Sequence, residues 1–98
     1  MTDDEIALAL QIALLGEVSA AMRGNSFMRR GNDVTLRFYF DGPVSEMDRE
    51  SASCVETELI AALPAQAKVR TEIVRADAPA ALPESGRWSY RRREPDAD

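Results

Sequence analysis

Residues 34–41, Val-Thr-Leu-Arg-Phe-Tyr-Phe-Asp, constrain this chain more than any other stretch. Val34, Leu36, Phe38 and Phe40 fall on one side of an extended strand, and Thr35, Arg37, Tyr39 and Asp41 on the other, the period-two pattern of a strand with one face on a core. Turn residues close both ends, Gly31-Asn32-Asp33 before and Gly42-Pro43 after, so the register is well specified. A central strand needs partners and a cover, and the flanking sequence supplies both.

Thr2 with Glu5 three residues on is a capping-box signature, and the Ala/Leu-rich run after it predicts a helix over 3–15 ending at Gly16. Ile6, Leu10, Ala13 and Leu14 form one apolar stripe; Leu8, Ile12 and Leu15 form a second. One sheet covers only one stripe of a helix. The second must lie against a dimer mate, a partner protein, or the proline-containing loop expected at 77–86.

Residues 24–30 read as a strand that pairs with 34–41 through the Gly31-Asn32-Asp33 turn. Their alternation is poor, which suggests an edge position with arginines blocking edge pairing. Ser45 with Asp48 repeats the cap signal and predicts a second helix from about Glu46 to Leu63, ended by Pro64, with Ala52, Val55, Leu59, Ala62 and Leu63 inward. A third strand is expected at 68–75, and a fourth at 87–91 with Trp88 and Tyr90 on one face. The order α-β-β-α-β-β points to an α+β domain over 1–93: two helices on one face of a mainly antiparallel four-stranded sheet. Residues 94–98 read as a disordered acidic tail.

Composition removes several kinds of chemistry. The chain has no histidine and a single cysteine, Cys54, so no Ser-His-Asp or Cys-His pair, no thiolate metal cluster and no disulfide can form within it. Cys54 itself reads as a small buried hydrophobe. The five glycines stand apart, so no phosphate-binding loop is present. Asp41 and Asp48 are the carboxylates left for a divalent ion, without the supporting donors such a site needs; we expect no cofactor, no metal and no enzyme. The acidic N-terminus and the ten-residue apolar run 6–15 fit neither a signal peptide nor a membrane span, which needs about 20 residues, and the lone cysteine fits a reducing cytoplasm.

Binding is what remains. A net charge of −5 disfavours nucleic acid and favours a basic protein partner. The second helix carries Glu46, Asp48, Glu50, Glu56 and Glu58 against Arg49 alone, and could occupy a cationic cleft. Tyr39 and Arg37, on the outward face of the central strand, are of the types enriched at binding hot spots. The candidate partner-binding residues are therefore Glu46, Glu50, Glu56, Glu58, Tyr39 and Arg37. Leu8, Ile12 and Leu15 are the candidate interface of a homodimer.

The strings Leu14-Leu15-Gly16-Glu17-Val18, Met22-Arg23, residues 36–42, Ser45 with 48–51, residues 55–58, and Trp88 with Tyr90-Arg91-Arg92 span most of the chain. With them the sequence resembles a family of short acidic bacterial proteins from polymorphic-toxin and contact-dependent-inhibition loci. The resemblance implies an immunity protein that neutralises a cognate toxin domain, and it carries over no catalytic residue.

Overall fold

The computed structural model describes residues 1–95. Its elements are α1 (Asp3–Ala13), β1 (Met22–Arg30), β2 (Asp33–Phe40), α2 (Glu46–Ala62), β3 (Lys68–Arg75) and β4 (Arg87–Arg91). Both caps form: Thr2 accepts from the Glu5 N–H and Ser45 from the Asp48 N–H, each at 3.1 Å. These bonds satisfy backbone donors that a helix start leaves free. Helix α1 stops at Ala13, short of the expected 15, and the chain turns away at Gly16 with φ 79°.

Strand β2 sits inside the sheet, whose order is β3-β2-β1-β4. Antiparallel pairing with β1 runs from Arg30↔Asp33 to Met22↔Phe40. The connecting loop is two residues long and Gly31 has φ 57°, the conformation a type II′ hairpin demands of its first loop residue. Val34, Leu36, Phe38 and Phe40 are fully buried with Ile6, Leu10, Ala52, Val55 and Leu59, so both helices cover the face that the alternation marked.

Two expectations about the sheet need correction. The sheet is mixed, because β2 and β3 run parallel, from Asp33↔Lys68 to Phe40↔Arg75. The cause lies in lengths: an eight-residue strand covers roughly 26 Å, and the 17 residues of α2 return the chain by roughly 25 Å. Strand β3 therefore starts level with the start of β2, and a parallel pair follows. Strand β1 is internal rather than an edge, hydrogen-bonded to β2 on one side and β4 on the other. Its first six residues, Met22 to Phe27, are buried despite their polar character.

Because β3 and β4 lie at opposite edges, residues 76–86 must cross the sheet. They cross on the face away from the helices: Leu82 is buried, Ser85 accepts from Arg37 at 3.2 Å, and Gly86 lies against the Phe27 carbonyl. The loop thus covers the outer face of the sheet and leaves the second stripe of α1 bare. Trp88 and Tyr90 also part company. A register shift opposite Asn25 and Ser26 pairs Tyr90 with Asn25 and Trp88 with Ser26. Tyr90 packs on the core, whereas Trp88 turns outward over Gly24 and meets Tyr39 with ring centroids 5.7 Å apart.

Candidate functional site

Among the expected partner contacts, Tyr39 is buried, and Arg37 is half-buried and engaged within the sheet. Tyr39 is 2% exposed, wedged beside Trp88, over whose ring the Arg91 guanidinium lies 4.9 Å from the centroid. Arg37 donates from Nε to Glu72 at 3.0 Å and from Nη1 to Ser85. The Glu72 hydrogen bond holds the Arg37 pKa above its ordinary value. Aromatic and basic side chains here tie the crossing loop and β3 to the sheet; an outward position on a strand does not imply an open one when a later segment lies across it.

The helical layer is where charge and apolar surface reach solvent. Ala52, Val55 and Leu59 face the sheet, whereas Ala62, expected with them, is exposed at the end of the helix and Leu63 is half-buried; Glu46 and Glu50, one turn apart, project away from the sheet. Glu58 faces α1, and Glu56 is half-buried on another side, so the four carboxylates spread round α2 rather than forming one patch. Asp48 is buried in the first turn. Cys54, expected inside, is exposed, because it lies one residue before inward-facing Val55 and therefore off the packed stripe.

Beside α2, Leu8 and Ile12 on α1 and Leu15 in the turn after it are 66%, 61% and 76% exposed. The opposite stripe, Ile6, Leu10 and Ala13, is buried. The helix is fixed to the sheet by Asp3 accepting from Arg29 at 2.6 Å, Asp4 accepting from Arg87 at 2.7 Å, and Gln11 donating to the Ser89 carbonyl at 2.6 Å. A groove of about 320 Å³ runs between the helices, floored by Leu8, Ala9 and Ile12 and rimmed by Glu5 and Glu58.

Two further clusters escaped the sequence reading. Arg23, 3% exposed, sits at the irregularity in β1 and donates from Nε and Nη2 to both oxygens of Glu94, at 2.7 and 2.8 Å, and from Nη1 to the Ala76 carbonyl. Glu94 accepts from Arg92 as well, and Arg92 reaches Asp41. These hydrogen bonds, that from Arg23 foremost, lower the Glu94 pKa from 4.5 to about 2. Glu94, at the start of the expected acidic tail, accepts hydrogen bonds from Arg23 and Arg92; residues 96–98 lie outside the described ones. Asp41, once a metal candidate, instead accepts from Arg92 and the Ala78 N–H. Among the described residues no group of three or more potential ligands stands together.

The second cluster is a groove of about 520 Å³ at the hairpin end of the sheet, where Arg30, Lys68 and Arg70 line a floor that includes Met28 and Val69. Lys68 and Arg70 lie on the edge strand β3, where cations discourage pairing with another sheet.

No helix among the described residues is long and apolar enough to cross a membrane. A search of curated proteins returned no match. A family model described as MafI2 immunity protein matches residues 3–94, a span that takes in both helices and all four strands. The chain belongs to the MafI2 immunity protein family.

Proposed function

We propose that this chain is a non-enzymatic immunity protein that binds a cognate toxin domain in the cytoplasm and disables it by setting acidic α2 against a basic cleft. The observation that carries the reading is the outward projection of Glu46 and Glu50, with Glu58 further along the helix, in a chain of the MafI2 family. Carboxylates held on a regular helix present fixed negative charge where a toxin's cationic groove would otherwise receive its substrate, and complementary charge speeds encounter. Glu56, half-buried, lies at the margin of this surface. Arg37 and Tyr39 support it only through the sheet on which the helix rests.

The test is a titration of the toxin domain encoded beside this chain. Its activity should fall to nothing at one equivalent of the purified protein, and absence of a complex at micromolar concentration would remove the proposal.

A further inference from the structure

We infer that the bare stripe of α1 is the apolar anchor of the same interface, and that it receives an amphipathic, basic segment of the toxin: apolar side chains on Leu8, Ile12 and Leu15, with Lys or Arg between Glu5 and Glu58. This rests on the toxin-binding reading and names the chemistry of the partner. Of these three open aliphatic side chains, Leu8 and Ile12 stand on a helix tied to the sheet by Asp3, Asp4 and Gln11 and buried along Ile6, Leu10 and Ala13, so that part of the surface is largely ordered before docking; Leu15 adjoins them in the turn that follows. The 77–86 loop, one of the three covers expected for them, lies on the other side of the sheet.

Charge decides between a toxin segment and a second copy of this chain. The stripe exposes a few hundred Å², short of the roughly 800 Å² that each partner contributes to a stable interface, so either occupant must also cover the flanks. Those flanks hold Glu5 and Glu58, and no basic residue lines the groove. The nearby Arg87 is engaged with Asp4. A two-fold dimer lays the same surface against itself, carboxylates against carboxylates. A cationic amphipathic segment meets every element of the groove with its complement, in the manner of a helix laid in an apolar groove.

The experiment compares the wild-type chain with Leu8→Glu/Ile12→Glu by sedimentation and by binding to the purified toxin domain. Both positions are exposed, so the variant should keep the wild-type circular dichroism and melting midpoint, which verifies folding. We expect a wild-type monomer at all concentrations and a loss of toxin affinity of about a hundredfold in the double variant, the scale of interface hot spots. Glu5→Lys/Glu58→Lys, which leaves the stripe intact, should also weaken binding. Undiminished toxin binding by the folded Leu8→Glu/Ile12→Glu protein overturns the inference. So does a wild-type dimer that this substitution dissolves, since the occupant is then a second copy. A wild-type chain that binds no toxin at all removes the functional reading itself, which is a distinct failure.

Discussion

Replacing Glu94 by Gln leaves the buried Arg23 guanidinium facing a neutral amide, and its cost can be worked from the geometry. Arg23 spends two donors on Glu94, at 2.7 and 2.8 Å, and the carboxyl pKa drops from 4.5 to about 2. At about 1.4 kcal/mol per pH unit that fall is worth at most about 3–4 kcal/mol of folding stability. Glu94 retains 22% exposure, and solvent screening brings the value to about 1–2 kcal/mol. Its folded pKa lies below the unfolded one, so this stability is complete above pH 4.5 and is lost as the pH falls toward 2. Urea unfolding of wild type and Glu94→Gln should differ by about 1–2 kcal/mol at pH 7, a midpoint shift of about 1 M at a slope typical of small domains. By pH 3 the difference should shrink by more than half. An equal gap at pH 7 and pH 3 would show that the ion pair is not its source.

Gly86→Ala places a methyl group 2.7 Å from the Phe27 carbonyl at φ 79° and should lower stability by about 2 kcal/mol or more; Gly16→Ala, at the same φ but in open space, should cost about 1 kcal/mol, and equal melting shifts would refute the close approach of the loop. Tyr39→Ala should cost about 3–5 kcal/mol in urea unfolding, as loss of a buried aromatic does, whereas an unchanged midpoint would return Tyr39 to the surface. The Cys54 thiol should react with a disulfide reagent in the native protein as fast as in the unfolded one, and protection until denaturant is added would contradict its exposure.

Local signals carried much of the architecture. The caps at Thr2 and Ser45, the alternation of residues 34–40 and the Gly31 turn act over a few residues, and each appears in the structure where the chain placed it. Whatever depended on distant segments was harder to read. The parallel β2–β3 pair was written in the strand-helix-strand order and the matching lengths of β2 and α2, a signal that hydrophobic alternation does not carry. Tyr39 is buried beside Trp88, on a strand more than forty positions later, and so its burial could not be judged from its own strand. The split between Trp88 and Tyr90 arises from one register shift, which no composition reveals. Arg23 and Glu94 are 71 residues apart, and their pairing follows only once β1 and β4 are neighbours. The open stripe through Leu8 and Ile12 was legible because helical spacing alone tells which side chains share a face, whereas the carboxylates of α2 spread round the helix.

The most direct test of the account is the association rate of this chain with the toxin domain, measured at low and high salt for wild type and for Glu46→Lys/Glu50→Lys. The wild-type rate should fall steeply as salt rises, and the charge-reversed protein should associate at least about tenfold more slowly at low salt with little salt dependence left. A charge-reversed protein that binds and neutralises the toxin at the wild-type rate would contradict the claim that α2 meets a basic cleft.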